Sequence, residues 1–272
     1  MQSYIVRKMK FDKFISPLRA AVAASLLVTS FGAYAQDKPK AYLNADIVSH
    51  YMWRGTDMAG VSIQPEIQVG WKGLFINAMS SVGIEKDDLK EIDLTLGYER
   101  WGFNIGVTDY WTSGIEENDL FFKYEKRGAH QLEANLGYTC KYGSLQAYTI
   151  FWGNDYKING DQAYSTYLEL SVPFKLGGLD WSLGVGGTVF ESAGTKESQT
   201  EKTSEGTITR SQYYYMYAEG PACVMASLRA TKDIEVGNVS LPVFVEFHAN
   251  PYLQTTHLLF GLTIRPFGSG KD

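Results

Sequence analysis

From Val61 to Trp71 the chain alternates strictly: Val61, Ile63, Pro65, Ile67, Val69 and Trp71 occupy one parity, and Ser62, Gln64, Glu66, Gln68 and Gly70 the other. Successive side chains of a strand point to opposite faces, so a period of two makes this a strand with one apolar and one polar side. The pattern recurs as Ile92, Leu94, Leu96 and Tyr98 against Glu91, Asp93, Thr95 and Gly97, and as Leu132, Ala134, Leu136 and Tyr138 against Glu133, Asn135 and Gly137. It returns in Leu179, Trp181, Leu183 and Val185 against Asp180, Ser182, Gly184 and Gly186, and in Leu258, Phe260, Leu262 and Ile264 against His257, Gly261, Thr263 and Arg265. Repeated over the whole length, it predicts an all-β fold.

The connections between these strands fall into two kinds. Near Lys72, Trp101, Lys141, Gly177 and Gly237 the chain reverses within a few residues, whereas 55–60, 85–90, 112–128, 154–161, 191–212 and 250–255 are longer polar stretches. Short turns on one side and long loops on the other are the habit of up-and-down antiparallel transmembrane β-barrels, with the turns periplasmic. Five turns and six loops join about twelve strands. Leu120, Phe122 and Tyr124 also alternate, but a thirteenth strand would put the termini on opposite sides, so residues 118–126 are read as an extracellular hairpin extension. The tenth strand is read as Tyr213 to Thr231, which sets Cys223 too far above the turn at Cys140 for a disulfide; the alternative is a break at Gly220-Pro221, which would lower Cys223 toward that turn and bring the pair together.

A soluble sandwich would alternate in the same way, and the mean hydropathy of −0.19 does not separate the two. Aromatic placement does. Trp71, Tyr98, Tyr138, Phe174 and Trp181 fall at the turn ends of the apolar faces, and Tyr51, Trp53, Trp111, Phe151, Tyr164 and Phe190 at the loop ends. Two aromatic belts around an aliphatic band mark a lipid-facing wall.

The N-terminus agrees with export. Arg7, Lys8, Lys10, Lys13 and Arg19 precede an apolar run from Ala20 to Phe31 and the small-residue pattern Ala33-Tyr34-Ala35, which predicts a signal peptide of residues 1–35 cleaved after Ala35. The run is shorter than the roughly 20 residues of a spanning helix. Cleavage removes five bases and one acid from the 25 and 30 of the whole chain, leaving residues 36–272 as one domain with a formal charge of −9. That balance disfavours nucleic acid as a partner. The expected location is the outer membrane of a Gram-negative bacterium, with outer-membrane lipid and the barrel assembly machinery as partners; the oligomeric state is open.

Ser49, Tyr51, Trp53, Arg54 and Gly55, followed by Pro65-Glu66-Ile67-Gln68, resemble the opening of the TorF-like porin family, in which a Ser-x-Tyr-x-Trp-Arg-Gly stretch starts the mature protein. Glu91-Ile92-Asp93-Leu94 and Ser171-Val172-Pro173-Phe174 are similar to that family's fourth and eighth strands. The resemblance implies a barrel of about twelve strands with a porin role. The chain departs from common barrel practice in continuing past Phe267 with Gly268-Ser269-Gly270-Lys271-Asp272 rather than ending on an aromatic residue.

Polar residues assigned to the lumen are Asp46, His50, Arg54, Glu66, Asp93, Glu99, Glu133, Glu169, Asp180, Arg229, Glu246, His248, His257 and Arg265. Acids predominate, which suits a water-filled passage for small hydrophilic solutes with a mild preference for cations. The alternative is an interior closed by salt bridges, since about eight strands leave no lumen and about sixteen an open one. Arg54, between Trp53 and Gly55, is suited either to bind an anion or stack on a ring, or to tie a loop to the rim. An adhesion or structural barrel would rest on the loops. An outer-membrane lipid hydrolase needs a His beside a Ser on the lipid face, and all four histidines fall by parity on the inward side or at a turn, so no catalytic residue is assigned. The histidines are scattered in sequence and no glycine-rich phosphate loop is present, so neither a metal site nor a cofactor is predicted.

Overall fold

The computed structural model describes residues 39–266 apart from 86–87, 114–119, 204–205 and 238. The signal-peptide reading and the tail after Phe267 lie outside these residues. In chain order the strands are β1 (Lys40–Val48), β2 (Tyr51–Trp53), β3 (Thr56–Ala59), β4 (Ser62–Trp71), β5 (Leu74–Gly83), β6 (Lys90–Arg100), β7 (Phe103–Ser113) and β8 (His130–Cys140). They continue with β9 (Gly143–Gly153), β10 (Thr166–Leu176), β11 (Leu179–Thr188), β12 (Gly194–Thr203), β13 (Gly206–Tyr215), β14 (Ala222–Val236), β15 (Val239–Asn250) and β16 (Thr255–Ile264). Twelve of them close a barrel in the order β1-β16-β15-β14-β11-β10-β9-β8-β7-β6-β5-β4, while β2-β3 and β12-β13 are separate two-stranded sheets. The fold is a closed, twelve-stranded antiparallel β-barrel, as the alternation predicts.

The tight turns arise where the sequence supplies a glycine at the second central position. Lys72-Gly73 (φ 53° and 92°), Trp101-Gly102 (56° and 86°) and Gly177-Gly178 (62° and 74°) place both central residues in the left-handed region, the signature of the type I′ hairpins that match strand twist. β1 begins and β16 ends at this same turn end, and the two strands pair from Ala45↔Ile264 to Val48↔Gly261. Strands of 10 or 11 residues, such as β4 to β11, span about 25 Å at a rise of about 3.3 Å per residue and a tilt near 45°. That is the height of the apolar band of a membrane barrel.

The facing follows the sequence parities. Ile67, Ile76, Leu94, Leu96, Ile105, Leu136, Leu145, Leu170, Leu183, Val245, Leu258 and Phe260 all lie exposed on the outer surface. An apolar face of this extent is far beyond what a water-soluble monomer exposes. At the turn end Phe174 stacks on Trp181 at 6.0 Å and Phe103 meets Tyr138 at a tilt, 4.7 Å between centres, which gives that belt the expected position. Inside, Phe75 lies over Gly97, its partner on β6, where any Cβ would overlap the ring.

Three expectations about the loop end need correction. Tyr51 and Trp53 do not belong to the outer belt: Tyr51 is 6% exposed and both rings are inside the barrel, because the chain turns inward after Ser49 instead of continuing β1. The tenth barrel strand is Ala222–Val236 rather than Tyr213 to Thr231, since Tyr213 to Tyr215 pair with β12 in a hairpin outside the barrel sheet. Residues 191–212 are correspondingly not a plain loop. Among the described residues, 120–126 contain no strand; they form turns held by bonds such as Lys123 N to the carbonyl of Leu120 at 2.9 Å. Cys140 and Cys223 are both free thiols, and Cys223 now stands near the loop end of β14.

Candidate pore constriction

The inward turn begins at Ser49, whose backbone donates to Phe260 and whose Oγ accepts from the Phe260 amide at 3.0 Å, the last tie to β16. The chain then forms the hairpin β2-β3 with Trp53 opposite Thr56 and the two-residue turn Arg54-Gly55, at φ 48° and 91°. Glycine is required at the second position: besides its left-handed φ, a Cβ there would overlap the carbonyl of Val224. The hairpin crosses the lumen. Tyr51 donates its hydroxyl proton to Glu91 on β6 at 2.5 Å, while the Asn250 side chain on β15 donates to the Gly55 carbonyl at 3.1 Å.

Arg54 at the tip is held by both hydrogen bonds and ring contacts. Its Nη1 and Nη2 donate in parallel to Oε2 and Oε1 of Glu133 on β8 at 2.5 and 2.7 Å, and Nη1 donates also to the Tyr217 hydroxyl at 2.7 Å. The guanidinium carbon lies 4.6 Å from the Trp53 ring centre, 4.1 Å from Tyr148 and 5.0 Å from Tyr167. Tyr110 completes the shell by donating to Glu133 at 2.9 Å. Both partners are almost wholly buried, with side-chain exposures of 8% and 1%. A bidentate, stacked guanidinium is what makes a buried ion pair tolerable. Burial pushes the Tyr217 hydroxyl well above the ordinary tyrosine range, so it stays protonated beside the cation. Arg54 therefore unites the two expected roles: it stacks on rings and it ties a segment down, to the lumen wall rather than to the rim.

Around this clamp acids outnumber bases. Glu91 and Asp93 on β6 are buried on the inner face, and one Asp93 carboxylate oxygen has no hydrogen-bond partner. Glu66 accepts from Asn77 at 2.6 Å, Glu169 accepts from Tyr167 at 3.1 Å, and Asp46 also faces inward with a buried unpartnered oxygen. Arg229 and Glu246 are cross-strand partners joined at 2.7 Å, and His248 lies 3.5 Å from Glu246. Glu99, Asp180 and Arg265 do not join this group: Glu99 and Asp180 are exposed at the turn end, where Lys175 holds Asp180 at 2.8 Å, and Arg265 follows the end of β16. Glu91, Tyr51, Tyr110 and Tyr217 belong to the constriction although they were not among the expected residues; the inward parity of Glu91 was a readable signal.

Two further corrections concern histidine. His50, Asp57 and His257 are not scattered in space: one ligand atom from each lies within 4.8 Å of the other two. His130 is not inward. It stands on the parity opposite Glu133, with Nδ1 2.8 Å from Asp109 and Nε2 2.7 Å from the Phe121 carbonyl, on the outer side of the wall beneath residues 120–128. Tyr124 stacks on it at 4.0 Å and donates to Asp109 at 2.6 Å, its hydroxyl pushed up to about 12 chiefly by burial and by that bond. Both ring nitrogens of His130 are thus engaged with acceptors, and neither is presented to a serine hydroxyl.

Beside the hairpin a cavity of about 370 Å³ opens at the loop end, bounded by Trp53 and Met58 of the hairpin, Glu91, Tyr110 and Gln131 of the wall, and Asn154. No family model matches the chain, and no curated protein matches it in sequence. Among solved structures it is similar to an outer membrane channel from Pseudomonas putida F1, at 12% identity over 83% of this chain and 92% of that one with a TM-score of 0.34. It is similar also to Salmonella typhi OmpF in complex with daunomycin, at 9% identity over 84% and 98% with a TM-score of 0.34.

Proposed function

We propose that the chain is an outer-membrane channel of the porin type, narrowed by the β2-β3 hairpin and passing small hydrophilic solutes with a mild preference for cations. One observation carries this reading: a closed barrel whose outer wall is a continuous apolar belt and whose inner wall bears Asp46, Glu66, Glu91, Asp93, Glu133, Glu169 and Glu246. Glu133 and Glu246 are tied to Arg54 and Arg229, but Asp46, Glu66 and Glu169 keep part of their surface open on the inner wall, and in a wetted lumen such carboxylates attract cations. The cavity beside the hairpin supplies an entrance with both apolar and hydrogen-bonding walls. The tight turns are assigned to the periplasmic side, the loops to the outside, and residues 1–35 to a signal removed on export, with insertion by the barrel assembly machinery into lipid.

The Arg54 clamp favours a second reading, a barrel shut at rest, because a buried bidentate pair holds the hairpin across the lumen. Liposome swelling separates the two. Vesicles containing the refolded barrel should swell in small neutral sugars and stop swelling as solute size rises; vesicles that behave like protein-free controls at every size would leave the shut barrel.

A further inference from the structure

The geometry points to a binding site for a divalent transition-metal cation of the Zn²⁺ class at His50, Asp57 and His257, where the lumen hairpin meets the barrel wall. The three residues come from three separate places: His50 precedes β2, Asp57 lies on β3, and His257 lies on β16. His50 Nδ1 is 3.4 Å and His257 Nδ1 3.6 Å from the same carboxylate oxygen of Asp57. These separations are too long for good hydrogen bonds. His50 Nδ1 is shielded from solvent and has no hydrogen-bond partner at all.

Donors gathered without satisfying one another are in the relation that a metal imposes. With metal–nitrogen bonds of about 2.0–2.1 Å and metal–oxygen bonds of about 2.0–2.2 Å, two ligands at a tetrahedral angle stand about 3.3–3.5 Å apart. The edge of 3.4 Å meets that requirement and the edge of 3.6 Å exceeds it by about 0.1 Å, while the two imidazoles, edge to face at 5.9 Å between centres, bring their ligand atoms within 4.8 Å and would close the remainder by ring rotation. Two imidazoles and a carboxylate select zinc, copper or nickel over magnesium and calcium, which favour all-oxygen shells. The side chains keep 41%, 35% and 25% of their surface exposed, so a turn of the His50 ring that bares its shielded Nδ1 admits an ion from the loop-end water and leaves the fourth position to a water.

A neighbouring residue strengthens the assignment. His248 is the direct cross-strand partner of His257, is 5% exposed, and has both ring nitrogens buried without a hydrogen bond, its Nδ1 lying 3.5 Å from Glu246. Three of the four histidines of the chain thus converge on one patch of the inner wall. An ion bound there bridges the hairpin to β16, on the side of the lumen away from the Glu133 anchor on β8. The binding itself does not depend on whether the barrel conducts.

The test is calorimetric titration of the refolded, tag-free full chain with Zn²⁺ alone. One ion should bind per chain, even with Mg²⁺ in excess. His50→Ala, Asp57→Ala and His257→Ala should each weaken binding at least about 10-fold, while a chain carrying both Cys140→Ser and Cys223→Ser should bind as before. Cu²⁺ bound to the unsubstituted protein gives a readout that does not depend on variants folding: its paramagnetic resonance spectrum should show coupling to two imidazole nitrogens. Absence of one-to-one binding, binding that survives His50→Ala and His257→Ala in folded barrels, or a copper spectrum without imidazole coupling would overturn the inference.

Discussion

Replacing Arg54 by alanine should free the hairpin while leaving the barrel standing. The substitution deletes both bonds to Glu133 and the bond to Tyr217, and leaves a carboxylate that is 1% exposed facing its site without a cation. Removing one partner of a buried ion pair costs about 3–5 kcal/mol. At about 1.4 kcal/mol per tenfold, the ratio of docked to undocked hairpin should fall by between two and nearly four powers of ten. Tyr51 to Glu91 and Asn250 to Gly55 remain, so the loss is local; the ladders of the twelve barrel strands are untouched. Single-channel recording of Arg54→Ala should therefore show larger or longer openings than the parent, with unchanged heat-modifiable migration of the folded barrel. Arg54→Lys, which keeps the charge but not the planar fork, should fall between them. Identical current records for parent and Arg54→Ala would refute the clamp.

Gly55→Ala should reproduce the Arg54→Ala phenotype, because φ 91° and the Val224 carbonyl both exclude a Cβ; normal gating in a folded Gly55→Ala barrel would count against the hairpin's docked position. Arginine at Leu94 or Leu183, both exposed on the outer wall, should impair membrane insertion by about 2–4 kcal/mol in a folding titration, whereas arginine at the inward Thr95 should be milder. Equal damage at both parities would mean that the facing is wrong. Neutralising Glu66 and Asp93 together should lower cation preference without unfolding the barrel. Glu133 must be left out of that set, since it anchors Arg54. Thiol labelling of the denatured, unreduced protein should find both Cys140 and Cys223 reactive, and none reactive would mean that the register of β14 is misplaced.

The wall was legible because each strand solves the same local problem. Residues such as Leu94 and Asp93 face media so different that parity alone sorts them, and turn pairs such as Trp101-Gly102 and Gly177-Gly178 mark the reversals. What failed to show was anything that depends on where a segment goes after leaving the wall. Tyr51 and Trp53 continue the alternation of β1, and nothing local distinguishes an aromatic residue bound for lipid from one folded into the lumen. The hairpin β12-β13 stands outside the barrel sheet, and its polar sequence has no apolar period to read. His50 and His257 stand near opposite ends of the chain and meet only because β1 pairs with β16. His130 was misplaced for a different reason: its outward parity was readable from Glu133, but at the first position of β8 it is covered by residues 120–128 and so is buried on the lipid side of the wall.

The central claim, an acid-lined passage narrowed by an inward hairpin, is tested most directly by the reversal potential of the refolded barrel in a planar bilayer under a salt gradient. The account predicts discrete conductance steps with a reversal potential of the sign of cation preference, shifting toward zero when Glu66 and Asp93 are neutralised. A barrel that inserts yet passes no current, both as the parent and as Arg54→Ala, would contradict it.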